Sequence, residues 1–205
     1  MATHSYKLMY FDGMGRAEFI RLVFAAAEVP FEDVRFTHQE WPKYKKLAPF
    51  GQAPYLEVAS KSYGQSVAIA TYLAREFGLH GKNNLEGLAV DQVLGLIQDL
   101  IQFGIKIYHE KEKGKRDELI QGFKDVHQPQ FLGYFEKLLS DNGTGYLVGN
   151  DLSLADIAVF DVVTGWLGTY MGPIDDFPLV KALVDKVWER DGIKSYMAAR
   201  PDREG

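Results

Sequence analysis

Two groups of residues in the first third of the chain carry side chains that could bind an acidic peptide and ionise a thiol. The first group is Pro54 with Gln65 and Ser66. Pro54 has no backbone N–H and restricts Ala53 to extended geometry, so a strand beginning here leaves the backbone of Ala53 open to a ligand. Ser66 heads an apolar-periodic segment, and a hydroxyl with unbonded amides at a helix N-terminus binds anions. Together these residues predict a site for a small acidic peptide.

The second group is Tyr10 and Arg16, which flank a glycine-containing turn at residues 13–15. A phenol that donates a hydrogen bond to a thiol favours the thiolate, and a nearby guanidinium acts in the same direction. Lowering the pKa of a thiol from about 8.5 by about two units corresponds to about 2.7 kcal/mol, which one charge-assisted hydrogen bond and one cation can supply. The alternative for Tyr10 is packing at the rim of a sheet, with its hydroxyl bonded to backbone.

Composition limits the chemistry and the partners. The 205-residue chain contains no cysteine, so a reacting sulfur must belong to the substrate. Its 23 basic and 28 acidic residues are mixed along the sequence, with a net charge of -5, and this balance argues against nucleic acid as a partner. The five histidines lack metal-ligand spacing, so we expect no metal site.

The first residues and the apolar segments indicate where in the cell the protein is expected. The first residues contain no apolar run of signal-peptide length. No segment is expected to reach the roughly 20 apolar residues that span a bilayer. These features predict a cytoplasmic protein without a membrane partner.

Two local motifs favour structure over chemistry. Residues 13–18 approach a dinucleotide fingerprint, but Glu18 stands where that motif needs a small residue for helix packing, so the glycines are better explained by a tight turn. Ser153 and Asp156 are spaced as a capping box, flanked by Leu152 and Ile157 as a hydrophobic staple. We therefore expect loss of Asp156 to lower stability.

Hydrophobic periodicity predicts the elements that must position these residues. Residues 1–80 show the order βαβαββα of a thioredoxin-like α/β domain, and residues 85–205 form an all-α helical bundle. The segment 78–84, polar and rich in glycine, separates them. The predicted strands are Tyr6–Phe11, Asp33–Phe36, Pro54–Val58 and Lys61–Tyr63. The predicted helices are Arg16–Glu28, Glu40–Leu47, Ser66–Phe77, one through Val90–Ile105 and one through Leu119–Leu139.

Several motifs in this order and spacing resemble the cytosolic glutathione S-transferases. They are Tyr6–Phe11 with Gly15–Glu18, Pro49–Pro54, Gln65–Ala70, and Tyr146–Gly149 with Ser153–Asp156. The resemblance covers essentially the whole chain. It is closest to the sigma class and its nematode and insect relatives, which are related to glutathione-dependent prostaglandin D synthase.

The resemblance implies that glutathione is the co-substrate, without a metal, and that the acidic peptide predicted above is glutathione. By motif, Tyr10 resembles the residue that activates the glutathione sulfur, Arg16 resembles its electrostatic helper, and Pro54 would be cis. Asp99 resembles an acidic residue that reaches glutathione in the neighbouring subunit of a homodimer; the alternative is a surface charge. The full set of implied glutathione contacts is Tyr10, Trp41, Lys45, Gln52, Ala53, Pro54, Gln65, Ser66 and Asp99.

The implied activity is conjugation of the glutathione thiolate to hydrophobic electrophiles, as in detoxification. The second domain would complete the electrophile pocket and the dimer interface. The predicted pocket residues are Phe11, Met14, Ile101, Ile105 and Tyr108, although helical spacing makes core packing equally plausible for the last three. Two alternatives stay open, namely prostaglandin isomerisation or peroxide reduction at the same site, and a non-catalytic carrier of haem or other apolar ligands.

Overall fold

A computed structural model describes residues 5–200 of the chain, which divide into two compact units. The first unit runs to Leu79 and resumes at Arg190, and the second is His80–Glu189. The elements of the first unit are β1 (Tyr6–Phe11), α1 (Gly15–Ala26), β2 (Glu32–Phe36), α2 (Trp41–Lys45), β3 (Tyr55–Val58), β4 (Lys61–Gly64) and α3 (Ser66–Glu76). The predicted βαβαββα order is confirmed.

A four-stranded mixed sheet organises the first unit, with the strand order β2-β1-β3-β4. β1 pairs with β2 in parallel and with β3 in antiparallel orientation, and β3 pairs antiparallel with β4. Helices α1 and α3 pack against each other and bury Ile20 and Leu73 completely. β1 is a central strand and runs parallel to β2. The end of β1 and the start of α1 therefore lie at the carboxyl ends of these strands, where α/β folds bind ligands.

The elements of the second unit are helical throughout its described residues. They are α4 (Asn84–His109), α5 (Lys113–Gly122), a π-helical turn (Phe123–His127), α6 (Gln128–Asn142), α7 (Leu154–Thr164), a 3₁₀ turn (Leu167–Tyr170) and α8 (Pro178–Trp188). The all-helical prediction is confirmed. The helix predicted through Leu119–Leu139 is instead α5, the π turn and α6. α5 buries none of its residues, and the wider π turn shifts the register so that α6 can bury Phe135 and Leu139.

The last helix, α9 (Asp191–Ala199), belongs to the first unit and packs on α1. The ranges predicted from sequence, 1–80 and 85–205, therefore differ from the observed units at the C-terminal end. The start of α9 lies so close to α1 that a Cβ on Gly192 would come within 2.0 Å of the Ala25 carbonyl oxygen. Ile193 is fully buried. An amphipathic pattern shows which face of a helix is buried, but it does not show which neighbour covers that face.

Helix α4 corrects the expectation about apolar segments. Among the described residues it is the one helix that is long and apolar enough, by length and composition, to cross a membrane. Core helices of soluble proteins meet the same criterion. Asn83 caps this helix through its side-chain oxygen, which accepts hydrogen bonds from the N–H groups of Leu85 and Glu86 at 3.0 Å.

Candidate active site

Eight of the predicted site residues surround one cavity of about 480 Å³ in the first unit. The end of β1, the starts of α1, α2 and α3, and the loop before β3 each contribute to its wall. Only one lining residue, Gly51, was not among the predicted ones. The lining residues are Phe11, Arg16, Trp41, Gly51, Gln52, Ala53, Pro54, Gln65 and Ser66.

Tyr10 is half-buried at the end of β1, and its hydroxyl oxygen accepts a hydrogen bond from the backbone N–H of Arg16 at 3.1 Å. The donor is an amide of the first turn of α1, where N–H groups have no partner inside the helix. An oxygen that accepts such a bond becomes a better donor through its own hydrogen, because hydrogen bonds in a chain polarise one another. The amide of Arg16 therefore polarises the Tyr10 hydroxyl.

Gly15 gives the Tyr10 hydroxyl its space. Its φ is +41°, and a Cβ at this position would lie 2.4 Å from the Tyr10 hydroxyl oxygen. A side chain here would displace the phenol as well as strain the backbone. The sequence analysis recognised the tight turn, but it did not reveal the contact between Gly15 and the tyrosine.

The loop before β3 contributes Gln52, Ala53 and Pro54 to the lining of the cavity. The Ala53–Pro54 peptide bond is cis, as the resemblance implies. β3 begins at Tyr55, and its pairing with β1 ends with the Met9–Tyr55 pair, so Ala53 lies outside the ladder. The amide and carbonyl of Ala53 are thus placed where an extended peptide could pair with them.

The start of α3 forms another wall of the cavity. Ser66 is the first residue of the helix and is 9% exposed. Gln65 before it has φ +74°, a left-handed conformation that is uncommon for a residue with a side chain and that typically costs about 1–3 kcal/mol. Such conformations occur preferentially at binding sites. The first N–H groups of an α-helix have no partner inside the helix, and a helix start of this kind can bind a carboxylate.

Aromatic packing holds α2 on the sheet and brings Trp41 to the cavity. The ring of Phe36 stacks on Trp41 at 5.5 Å and on Tyr44 at 4.4 Å, between ring centroids. Phe11 lies 5.3 Å from Trp41 and lines the same cavity. Phe11, predicted for the electrophile pocket, therefore shares this cavity with the predicted glutathione contacts.

The other predicted residues do not line this cavity. Met14 is buried at the N-cap of α1, and Lys45 ends α2, where its Cε would lie 3.5 Å from a Cβ on Gly51. Tyr10, on β1, is not among the lining residues either, although its neighbours Phe11 and Arg16 are. The remaining four belong to α4 in the second unit. Asp99 and Tyr108 are exposed and Ile101 and Ile105 half-buried. Ile101, Ile105 and Tyr108 follow one another at intervals of four and three residues, so they lie on one face of α4.

The sequence analysis missed a buried ionic cluster below the Tyr10 turn. Glu18 and Arg21 are both fully buried on α1, and Arg21 forms ion pairs with Glu18 at 3.2 Å and with Asp33 at 3.1 Å. The signal in the sequence was a Glu–Arg pair, three residues apart, whose neighbours Ala17, Phe19, Ile20 and Leu22 are apolar. Charged residues at such positions must be paired, because an isolated buried charge is costly.

A small mixed sheet with a cis-proline loop, followed by a helical unit, defines a thioredoxin-like protein with a helical second domain. The family model for the "Glutathione S-transferase, N-terminal domain" matches residues 6–75, and that for the "Glutathione S-transferase, C-terminal domain" matches residues 98–200. Glutathione S-transferase 4 of Caenorhabditis elegans is 35% identical, over 97% of this chain and 98% of the relative. The chain belongs to the glutathione S-transferase family.

Solved structures agree with this assignment. A Nu-class glutathione S-transferase from Haemonchus contortus is 38% identical with a TM-score of 0.86, covering 99% of this chain and 100% of the other. Prostaglandin synthase D of Nilaparvata lugens is 34% identical with a TM-score of 0.85, covering 97% and 100%. A monomeric glutathione S-transferase from Necator americanus is 34% identical with a TM-score of 0.84, covering 98% and 100%.

Proposed function

We propose that Tyr10 activates the thiol of glutathione in this transferase, and that the resulting thiolate attacks a hydrophobic electrophile. The observation that carries the proposal is the hydrogen bond from the Arg16 N–H to the Tyr10 hydroxyl oxygen, at 3.1 Å, beside a cavity lined by Arg16, Ala53 and Ser66. This arrangement gives one donor for a sulfur, a backbone edge for a peptide and a helix start for a carboxylate.

In the proposed complex, the γ-glutamyl end of glutathione lies at Gln65 and Ser66, where the dipole of α3 favours its carboxylate. The cysteinyl part pairs with the backbone of Ala53, next to Gln52. The glycine carboxylate lies toward Trp41 and Lys45. This orientation directs the sulfur toward Tyr10 at the end of β1.

The chemistry then needs two steps. The Tyr10 O–H donates a hydrogen bond to the sulfur, which stabilises the thiolate, and the thiol proton leaves to solvent. The guanidinium of Arg16 adds positive charge on the same side of the cavity. The thiolate then attacks the electrophilic carbon, a C–S bond forms, and the leaving group departs with the electron pair of its bond.

We further predict that the electrophile contacts Phe11 and Met14 in the first unit and Ile101, Ile105 and Tyr108 on α4. Their apolar side chains suit a hydrophobic acceptor. A cavity that holds the acceptor next to the thiolate accelerates the reaction mainly by orientation.

Replacing Tyr10 with phenylalanine tests the mechanism. We expect Tyr10→Phe to lower kcat/KM for glutathione conjugation to a chlorodinitrobenzene by about 10- to 100-fold, which corresponds to one hydrogen bond to a charged group. Glutathione affinity should change little, because the peptide is bound by other residues. Tyr134→Phe is the matched control, since Tyr134 is an exposed tyrosine on α6. A wild-type protein that binds glutathione without turning over this electrophile would instead support the carrier function.

A second candidate function is glutathione-dependent isomerisation of a prostaglandin endoperoxide. The 34% identity to prostaglandin synthase D of Nilaparvata lugens favours it as an additional activity. The same thiolate could serve both reactions. We propose a direct assay with the endoperoxide, in which product formation above the uncatalysed rate supports this function and an unchanged rate contradicts it.

We also propose that the chain forms a homodimer of the sigma class type in the cytoplasm, with Asp99 reaching glutathione bound to the neighbouring subunit. An apolar cavity of about 710 Å³ in the first unit supports association, because the exposed rings of Phe50, Tyr63 and Tyr72 surround it. The class rests on the motif pattern, and the Nu class is the alternative. The monomeric relative from Necator americanus shows that this fold also occurs without a partner.

A further inference from the structure

Arg21 lies below the turn that joins β1 to α1, and its guanidinium is fully buried. Its Nη1 donates a hydrogen bond to the carbonyl oxygen of Gly13 at 2.8 Å and lies 3.5 Å from that of Met14. Its Nε lies 3.2 Å and 3.1 Å from the two carboxylate oxygens of Asp33 on β2. A single side chain thus connects the turn to the neighbouring strand.

Glu18 holds Arg21 from the other side. One of its carboxylate oxygens lies 3.2 Å from Arg21 Nη1. The other accepts hydrogen bonds from the Tyr196 hydroxyl at 3.0 Å and from Arg200 Nη1 at 3.1 Å. Tyr196 on α9 and Arg200 directly after it therefore contact Arg21 indirectly, through Glu18. Replacing a buried ion pair by apolar residues is often neutral or stabilising, so net stability alone is a weak explanation for this cluster.

The turn held by Arg21 carries the groups that contact Tyr10. Arg16, whose N–H donates to the Tyr10 hydroxyl, follows the turn directly, and Gly15 within it leaves room for that hydroxyl. The Arg21 guanidinium carbon also lies 6.0 Å from the centroid of the Tyr10 ring, at the outer limit of a cation–π contact. Arg21 is therefore connected to Tyr10 through the turn, and its guanidinium also lies near the Tyr10 ring.

We propose that Arg21 is a positioning residue for thiol activation, which orients the Tyr10 hydroxyl by holding the carbonyl groups of the turn at residues 13–14. The inference deepens the proposed function and rests on it. A residue with a purely structural role would lower the melting temperature without changing how readily the bound thiol ionises. A positioning residue changes the ionisation itself.

The test is a pH titration of the glutathione thiolate bound to wild type and to Arg21→Lys, followed by ultraviolet absorbance. Lysine keeps the charge but has no planar fork to reach Gly13 and Asp33 together. We expect the pKa of the bound thiol to rise by about one unit, with glutathione affinity changed by less than about threefold. At neutral pH kcat/KM should fall by about threefold, because the ionised fraction of a thiol with a pKa of about 6.5 falls from about three quarters to about one quarter, and it should recover as the pH is raised.

A control and a second variant keep the test decisive. Lys7→Gln removes the exposed ion pair of Lys7 with Glu32 and should leave the thiol pKa unchanged. If Arg21→Lys does not fold, Asp33→Asn provides the same readout, because Asp33 is half-buried and holds the Arg21 Nε. An unchanged thiol pKa in the folded variant would overturn the inference.

The outcomes also separate this inference from the proposed function. A wild-type protein that neither ionises bound glutathione nor conjugates it would contradict the proposed function. A wild-type protein that does both, together with a folded Arg21→Lys or Asp33→Asn of identical pH profile, would contradict the role of Arg21 alone.

Discussion

At the scale of single residues, the tyrosine proposed to activate the thiol depends on a neighbour without a side chain. Gly15 provides the volume in which the Tyr10 hydroxyl lies, and Arg16 supplies the N–H that polarises it. Sequence reasoning identified Tyr10 and Arg16 by their chemistry. It could not identify the role of Gly15, because the absence of a side chain has meaning only once the surrounding atoms are known.

Gly15→Ala should therefore impair activity. The new Cβ would lie 2.4 Å from the Tyr10 oxygen, and the φ of +41° is unfavourable for alanine. We expect kcat/KM for conjugation to fall by at least about tenfold, because the phenol must move away from the sulfur. Steady-state kinetics on purified variants provides the measurement.

Gly13→Ala is the matched control for this prediction. A Cβ on Gly13 would meet no atom within 4 Å, and the carbonyl that Arg21 binds is retained. The control should keep activity near that of wild type. Equal activity in Gly15→Ala and wild type would show that the Tyr10 hydroxyl tolerates displacement.

At the scale of elements, Asp156 in the first turn of α7 both caps its own helix and binds the loop that precedes it. The Asp156 carboxylate accepts hydrogen bonds from the Ser153 N–H and hydroxyl and from the Leu147 N–H, each at 2.7 Å. Burial raises the pKa of Asp156, while these hydrogen bonds act in the opposite direction. The capping box predicted from Ser153 and Asp156 is confirmed. The bond to Leu147, nine residues away, was not apparent from local spacing.

Asp156→Ala should destabilise the fold. The change removes a cap and leaves buried donors without acceptors, which together typically cost about 3 kcal/mol. Chemical denaturation should show this loss in the free energy of unfolding, while kcat measured well below the melting temperature stays near the wild-type value. Asp151→Ala is the control, because Asp151 is exposed and forms a surface ion pair with Lys82. A strong loss of kcat in folded Asp156→Ala would contradict a purely structural role.

At the scale of the whole molecule, the proposed dimer is the property that reaches beyond one chain. Light scattering at micromolar concentration should give about twice the chain mass of 23.2 kDa. Phe50 is 67% exposed beside the apolar cavity of the first unit, so Phe50→Ser should shift the equilibrium toward monomer by removing apolar area from the interface.

Leu47→Ser provides the control for the dimer prediction. Leu47 is 60% exposed, yet it does not line that cavity, so its replacement should leave the mass unchanged. A wild-type mass equal to one chain would remove Asp99 from the proposed site, because that residue was assigned to the glutathione of a neighbouring subunit.

Local sequence patterns predicted the class of the fold, the order of its elements and part of the cavity wall. These features follow from local rules, since periodicity reports burial, and proline, glycine and helix starts constrain the backbone nearby. Tyr10, Pro54 and Ser66 were recognisable for that reason. The family motifs added Trp41 and Gln52 as site residues, the cis state of Pro54 and glutathione as the expected ligand.

The contacts that bring distant segments together below the Tyr10 turn became apparent from the folded structure alone. Asp33 on β2 and Tyr196 on α9 meet around Glu18 and Arg21, although they are far apart in the sequence. Residues 190–200 join the first unit for the same reason, because α1 offers the surface that covers Ile193. Such contacts depend on which surfaces meet after folding, and a charge or a helical pattern read along the chain does not specify its partner.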